Sequence, residues 1–170
     1  MKIHIIGASG SGKSTLAGNL SKLLQIPHYD LDDIFWDNTQ KTYGVTMPLA
    51  KRSRIFHSIL LQDAWIIEGI YTSWIQESLQ QADHIILLDI SLASCRWHVM
   101  KRFFRRKLGL EKSKRESLKS LVKLLYWMSG DHLSKQEYFA MLEEQFPLKT
   151  VRLRTAQQIE EMLIGFENGS

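Results

Sequence analysis

The chain contains few of the features that cross-link a fold or anchor it in a membrane. Cys95 is the only cysteine among 170 residues, so no disulfide can form within the chain, and this favours a reducing compartment. The longest apolar runs, such as Ile85–Leu88, are far shorter than the roughly 20 residues that a membrane-spanning helix needs. Polar residues of Gly7–Ser14 interrupt the apolar start of the chain, which argues against a signal peptide. We therefore expect a cytoplasmic protein.

Internal breaks are also scarce. The sequence has three prolines and no repeat, low-complexity tract or linker. A chain of this length suits one hydrophobic core. Residues 1–170 are therefore predicted to form a single domain.

Charge is distributed unevenly along the chain. Residues 96–123 hold 11 of the 22 basic residues and two of the 18 acidic ones, so this segment carries +9 and the remainder −5, for a total of +4. A basic segment attached to an acidic body can close over phosphates or lie on nucleic acid. Composition leaves both possibilities open.

Short apolar runs alternate with segments of helical periodicity. The predicted strands are Lys2–Ile6, Pro27–Asp30, Ala64–Ile67, His84–Leu88 and Lys149–Leu153. The predicted helices are Ser14–Leu24, Arg52–Gln62, Ser73–Gln81, Leu92 to about Leu108, Glu116–Ser129, Ser134–Phe146 and Ala156–Leu163, the last capped by Thr155. Residues 32–51 are expected to be mostly loop. This alternation is typical of an α/β fold, in which helices cover both faces of a parallel sheet and ligands bind at the carboxyl ends of the strands.

A glycine-rich segment between the first predicted strand and helix fits the pattern G-x-x-x-x-G-K-[ST]. Such loops turn successive backbone N–H groups around phosphate oxygens, and the following helix adds its positive end. Lys13 is placed to reach the β- and γ-phosphates of a nucleoside triphosphate, and Ser14 to bind Mg²⁺. A turn without a ligand would need neither the three glycines nor the lysine. The predicted nucleotide-binding residues are Gly7, Ala8, Ser9, Gly10, Ser11, Gly12, Lys13, Ser14 and Thr15.

Acidic residues follow the second predicted strand and point to an acceptor site. Asp30 is a candidate to hold Mg²⁺ or to accept a proton from the acceptor. Asp32 and Asp33 are candidates to hydrogen-bond acceptor hydroxyls, the alternative being an ordinary acidic turn in which Asp32 or Asp33 caps a helix. Arg54, at the end of the unpatterned excursion, completes the predicted substrate-binding set together with Glu68.

Two further strands end in carboxylates. Glu68 follows Trp65–Ile67 and is a candidate to bind Mg²⁺ or substrate, the alternative being a salt bridge at the strand end. Asp89 follows Ile85–Leu88 in the manner of a Walker B aspartate, although parallel strands often end in aspartate. If the sheet is parallel, these carboxylates converge on the edge that carries the phosphate loop.

The helix predicted from Leu92 is rich in cations. Arg102, Arg105 and Arg106 share a face, and arginine forks suit phosphate, so we expect them to act catalytically from a lid over residues 96–115. A solvated face and a nucleic-acid patch are the alternatives. Aromatic residues placed to stack on an acceptor ring, or else to pack in the core, are Phe35, Trp36, Tyr43 and Trp74. Cys95 and His98 lack the further ligands that a metal site requires.

Taken in order, these segments resemble the adenylate-kinase-like and shikimate-kinase-like P-loop kinases. The chain is more narrowly similar to the bacterial adenylate-kinase-like group labelled DNA topology modulation proteins. The segments that carry the resemblance are the glycine loop, His28–Asp33 with Phe35-Trp36, Trp65–Gly69, Asp83–Asp89 and the arginine helix near Arg102.

The resemblance implies a three-layer P-loop fold with a five-stranded parallel sheet in the order 2-3-1-4-5. It also implies MgATP as the phosphoryl donor, an acceptor-binding insert at about residues 32–62, and a small helical lid. By position alone, Leu153–Ala156 matches the segment where such kinases place the adenine loop. The segment Glu68–Tyr71 lacks the arginine of the Asp-Gly-Phe-Pro-Arg run of adenylate kinases, which argues against AMP as the acceptor.

Three functional hypotheses follow. The first is an ATP-dependent phosphotransferase that acts on a nucleotide or another small molecule. The second is a nucleic-acid-associated regulatory ATPase that affects DNA topology, for which the basic segment is the motive. The third is a nucleotide sensor without turnover.

Overall fold

Five parallel strands form the centre of the protein. The computed structural model describes residues 1–37, 39, 44–108, 121, 122, 124–126, 128 and 132–169. The strands are β1 (Lys2–Gly7), β2 (His28–Asp30), β3 (Trp65–Glu68), β4 (His84–Leu88) and β5 (Thr150–Leu153). They lie in the order β2-β3-β1-β4-β5, and every neighbouring pair is parallel. The α/β fold class and the strand order that the resemblance implies are confirmed.

Helices cover both faces of this sheet. They are α1 (Lys13–Leu24), α2 (Leu31–Phe35), α3 (Leu49–Leu60), α4 (Gln76–Gln81), α5 (Leu92–Lys107), α6 (His132–Gln145) and α7 (Ala156–Asn168). Within the described residues, no helix combines the length and the hydropathy that crossing a membrane requires.

The apolar residues divide between two cores because side chains alternate across the sheet. Ile3 and Ile5 of β1 pack with Leu16 and Leu20 of α1 on one face. Residues of α2, α3, α4 and α6 pack on the other face against Ile6 and its neighbours in β3 and β4. Burial of both faces explains the apolar runs Trp65–Ile67 in β3 and Ile85–Leu88 in β4.

The segment between β2 and β3 is more regular than its composition suggests. The prediction of a loop from Asp32 is wrong for residues 32–35, because the Asp30 side chain accepts a hydrogen bond from the Asp32 backbone N–H at 2.8 Å and caps α2. Helix α3 begins at Leu49 rather than at Arg52. Pro48 precedes it as the N-cap, a position whose own N–H is not needed for the helix.

The remaining boundaries differ by a few residues. Helix α4 begins at Gln76 instead of Ser73. Helix α7 continues past Leu163 to Asn168, since Phe166 still packs against the core. Thr155 caps α7 as predicted and forms a capping box with Gln158. Residues 121, 122, 124–126 and 128 of the predicted helix Glu116–Ser129 are helical, whereas its other residues lie outside the described part of the chain.

Candidate nucleotide and acceptor site

The phosphate loop connects β1 to α1 at the carboxyl edge of the sheet, as predicted. Gly12 precedes α1 with φ of 96°, a left-handed conformation that glycine adopts without strain. The helix has no acidic residue in its first turn and no side-chain cap. Its N-terminal N–H groups are therefore left to an anion, which is the usual arrangement for binding phosphate.

The loop is joined directly to the carboxylate at the end of β3. The Ser14 hydroxyl donates a hydrogen bond to Glu68 Oε1 at 2.5 Å. Lys13 Nζ lies 4.0 Å from Glu68 Oε2 and donates to the Ala8 carbonyl oxygen at 3.2 Å. Glu68 is only 2% exposed. A buried carboxylate thus meets the lysine and the hydroxyl that the loop supplies.

Asp30 lies beside Glu68, because β2 and β3 pair in a register that places these two residues opposite each other. Burial and the neighbouring Glu68 charge raise the pKa of Asp30 to about 6. A carboxyl with this pKa can take up a proton close to neutral pH. The sequence paired Ser14 with Asp30 as metal ligands, whereas the geometry places Glu68 in direct contact with Ser14.

A second polar contact extends this edge away from the phosphate loop. The Tyr71 hydroxyl donates to Asp32 Oδ1 at 2.7 Å. Burial and this hydrogen bond raise the pKa of Tyr71 above its usual value, while Arg52 acts in the opposite direction. Asp32 and Asp33 are both exposed in the first turn of α2, where their side chains are accessible.

Arg52 forms the far wall of this acidic edge. Its guanidinium carbon lies 5.3 Å from the centre of the Phe35 ring and 4.9 Å from the centre of the Trp74 ring. Tyr71 contacts both rings, with centroid distances of 4.9 and 5.2 Å. The guanidinium is half-buried between two aromatic side chains, and it forms no ion pair with any described residue. Its charge is therefore held in place by the two rings and has no carboxylate partner among the described residues.

Sequence reasoning missed Arg52 and chose Arg54 instead. Arg54 is exposed two residues further along α3. The correct start of α3 would have identified Arg52. Because α3 begins at Leu49, Arg52 lies on this helix one turn before the buried Phe56, on the side that faces the protein. Phe35 and Trp74 were predicted as stacking residues for an acceptor ring, and in the structure they stack on Arg52. Tyr43, predicted in the same group, lies outside the described residues.

Asp89 occupies a different environment. Its carboxylate pairs with Lys135 at 2.9 Å and with Arg152 at 2.9 Å, and it accepts a hydrogen bond from Gln136 at 2.9 Å. Burial alone would raise the pKa of Asp89, but the hydrogen bonds from these three side chains outweigh it and lower the pKa to about 2. Asp89 therefore joins β4 to α6 and β5, and its charge is already balanced.

The predicted basic lid falls partly within α5. Arg102 and Arg106 are half-buried on this helix, and Arg105 is exposed. Residues 109–115 of the predicted lid lie outside the described part of the chain. A role for the arginines in phosphoryl transfer, like the alternative of a nucleic-acid patch, stays a prediction.

The oxygen atoms at the edge fit a Mg²⁺ ion that arrives with a nucleotide. Among the described residues, no group of three or more histidine, cysteine, aspartate or glutamate side chains is arranged to hold a metal on its own. The Ser14 hydroxyl and the Glu68 carboxylate supply two hard oxygen donors, with Asp30 adjacent. Mg²⁺ commonly combines one or two such ligands with phosphate oxygens and water.

Proteins of similar sequence match only part of this chain. No protein-family model matches it. It is 31% identical over 106 residues to YqaC, an uncharacterized protein of Bacillus subtilis, a match that covers 59% of this chain and 58% of that protein. It is 44% identical over 48 residues to the shikimate kinase of Aquifex aeolicus, covering 28% and 26% of the two chains. The chain thus spans less than two thirds of either relative.

Solved structures match almost the entire fold. A gluconokinase from Sinorhizobium meliloti has a TM-score of 0.54 at 15% identity, and the match covers 99% of this chain and 90% of that one. A sugar kinase from a Janibacter species has a TM-score of 0.53 at 14% identity, covering 98% and 94%. The chain has the fold of these P-loop kinases. The narrower resemblance to the DNA topology modulation group stays a prediction.

Proposed function

We propose that this protein is an ATP-dependent phosphotransferase that transfers the γ-phosphoryl group of MgATP to a hydroxyl group of a small anionic acceptor. The observation that carries the proposal is the 2.5 Å hydrogen bond between Ser14 and Glu68. It joins a phosphate-binding loop to a row of carboxylates at one edge of the sheet. Phosphoryl transfer depends on this combination of a phosphate cradle, oxygen donors and a group that orients the nucleophile.

Each residue of this edge has a role in the proposed reaction. Lys13 and the first N–H groups of α1 bind the β- and γ-phosphates. Ser14, with Glu68 or Asp30, holds Mg²⁺, which supplies positive charge to the phosphate oxygens when bound. The acceptor oxygen forms a bond to the γ-phosphorus as the bond to the bridging oxygen of ADP breaks. Asp30 accepts the proton of the acceptor hydroxyl.

Arg52, which pairs with no carboxylate in the described part of the chain, supports an anionic acceptor. A guanidinium held between Phe35 and Trp74 loses little side-chain freedom when it binds a carboxylate or a phosphate, because its position is already fixed. The Tyr71 hydroxyl donates to Asp32, and the charges of both Asp30 and Arg52 act on its pKa, so these side chains lie near one another. Asp32 and Tyr71 are suited to bind hydroxyl groups. A molecule with an anionic group at one end and a hydroxyl at the other fits this set of side chains.

Two of the names of the similar proteins agree with this class of acceptor. The two structural neighbours are called a gluconokinase and a sugar kinase, and the matched sequence fragment belongs to a shikimate kinase. Gluconate and shikimate are both hydroxylated carboxylic acids.

Acceptor-dependent consumption of MgATP tests the reaction. We expect turnover above basal hydrolysis with at least one member of a panel of sugar acids, cyclic hydroxy acids and nucleoside monophosphates. Lys13→Met should reduce this turnover by about 10²-fold or more. Lys22→Met, at the exposed end of the same helix, is the matched control and should leave it unchanged. If no panel member raises turnover above hydrolysis, the proposed activity is wrong.

The role of Arg52 has its own test, with Arg54 as the control two residues away. Each anionic acceptor is compared with a neutral counterpart: a sugar acid with its alditol, a nucleoside monophosphate with its nucleoside. Arg52→Ala should raise the acceptor KM roughly 10²-fold, the loss expected for a charge-assisted contact, without changing the KM for ATP. Arg54→Ala should leave both constants unchanged. Equal turnover of charged and neutral counterparts would refute an anionic acceptor. Comparing turnover of the sugar acids with that of the nucleoside monophosphates shows whether the anionic group is a carboxylate or a phosphate.

A further inference from the structure

The phosphate loop is supported from behind by helix α5. Gly10, at the tip of the loop, has φ of 80° and lies so close to α5 that a Cβ atom there would be 2.4 Å from the Cys95 carbonyl oxygen and 2.9 Å from Val99 Cγ2. A side chain at this position would therefore displace either the loop or the helix. The conformation of the loop depends on a helix that is distant from it in sequence.

A histidine on the same helix contacts this point of the loop. His98 Nδ1 lies 2.9 Å from the carbonyl oxygen of Gly10. A carbonyl oxygen only accepts hydrogen bonds, so Nδ1 must carry the proton and donate. The imidazole is exposed, and none of the roles described above involves it.

This contact fixes the orientation of one peptide group. In a trans peptide the C=O and the following N–H point in opposite directions. The Gly10 carbonyl is held towards α5 by His98, while the Ser11 N–H on the other side of the peptide donates to the Ala8 carbonyl oxygen at 3.1 Å. Both sides of the peptide at the loop tip are thus hydrogen-bonded before any ligand binds. A loop held in its binding conformation loses less entropy when it binds.

We propose that His98 is a positioning residue for triphosphate binding: its Nδ1–H group holds the Gly10 peptide so that the loop is ready to receive phosphate. The inference rests on the proposed nucleotide binding and adds a residue outside the glycine-loop motif. His98 also precedes Arg102 by one helical turn, so α5 carries both the support of the loop and the first of the basic residues predicted to act on phosphates.

Calorimetry with a non-hydrolysable ATP analogue and Mg²⁺ tests the proposal. His98→Ala should weaken binding by roughly 3- to 10-fold, as expected for one lost hydrogen bond. His98→Asn should restore binding to within about twofold, since the amide nitrogen of asparagine can occupy nearly the same position as Nδ1 and donate the same bond. His57→Ala, an exposed histidine on α3, is the control and should bind like the unaltered protein.

A second measurement separates positioning from general stability. Exchange of the Ser11 amide hydrogen should be faster in His98→Ala than in the unaltered protein or in His98→Asn, while the urea midpoint stays the same. If the unaltered protein binds the analogue and His98→Ala binds it equally well, the role of His98 is refuted and the proposed function stands. If His98→Ala weakens binding but His98→Asn fails to restore it, the role of His98 is likewise refuted and the proposed function stands. If the unaltered protein binds no analogue, the proposed function itself fails.

Discussion

Two carboxylates lie at the ends of β3 and β4, the apolar strands on either side of β1, yet their surroundings are opposite. Glu68 ends β3 and contacts the Ser14 hydroxyl, with Lys13 at the limit of ion-pair distance, 4.0 Å. Asp89 follows β4 and is surrounded by cationic side chains: Lys135 and Arg152 each lie 2.9 Å away and Arg154 lies 3.6 Å away. The first carboxylate faces the site and the second faces the protein.

The difference shows how the charges around a carboxylate distinguish a structural residue from a candidate functional one. A buried carboxylate whose cations belong to the fold is a cross-link, because removing it leaves those cations unpaired. A buried carboxylate that meets only a hydroxyl and a distant ammonium retains capacity for a metal or a substrate. Arg52, between its two aromatic rings, is a cation of the same type as Glu68: it retains capacity for a ligand of opposite charge.

The largest expected effect is on stability at Asp89. Asp89→Asn should lower the free energy of unfolding by about 3 to 5 kcal/mol, because Lys135 is 6% exposed and would keep its charge without a partner. Urea unfolding measures the change. Asp63→Asn, an exposed aspartate before β3, should have almost no effect. A loss below 1 kcal/mol at Asp89 would contradict the cross-link.

At Glu68 we expect a large effect on turnover and a small effect on stability. Glu68→Gln keeps a group that can accept the Ser14 hydrogen bond, so the free energy of unfolding should change by less than about 0.5 kcal/mol. Acceptor-dependent turnover should fall about 10²-fold, equivalent to roughly 2.7 kcal/mol, because an amide cannot supply the charge of the carboxylate. Glu77→Gln on α4 should preserve both quantities. Full turnover by Glu68→Gln would remove Glu68 from the site.

Acid should distinguish Asp89 from an ordinary surface aspartate. Its pKa is lowered to about 2 in the folded protein, so its stabilising contribution is complete above its unfolded pKa near 4 and is lost as pH falls towards 2. The stability difference between the unaltered protein and Asp89→Asn should therefore shrink by about 2 kcal/mol between pH 5 and pH 2. Asp63→Asn, measured over the same pH range, is the control. A constant difference for Asp89→Asn would show that its pKa is not lowered.

At Asp30 we expect a modest change in stability of the opposite sign to that at Asp89. Its folded pKa of about 6 exceeds the unfolded value, so the carboxylate destabilises the fold above pH 6, and this penalty disappears as pH falls through about 4. Asp30→Asn can still cap α2 and should stabilise the metal-free protein by on the order of 1 kcal/mol at pH 7.5. Turnover should be lost. Thermal unfolding in EDTA measures the first effect, and a lower Tm would contradict it.

Much of the fold could be read from local sequence. The runs Ile85–Leu88 and Trp65–Ile67 are long and apolar enough to be strands buried on both faces, and the glycine loop is defined by closely spaced residues. Thr155 and Gln158 form a cap that depends on a separation of three residues. Helix α2 was missed because its signal is a single side chain, Asp30, that caps one turn.

The features of the site likewise divide into those that follow from local sequence and those that depend on tertiary contacts. The sequence by itself determined the phosphate loop, the parallel sheet and the row of strand-end acids, since these follow from spacing and periodicity along the chain. Only the tertiary structure decided that Asp89 pairs with three cationic side chains whereas Glu68 has Lys13 at 4.0 Å. It also decided that Arg52 rather than Arg54 faces the aromatic rings, and that His98 holds Gly10. These contacts join residues from different elements, for example 88 positions apart in the case of His98 and Gly10. Charge balance is set by such neighbours in space, which one-dimensional patterns do not encode.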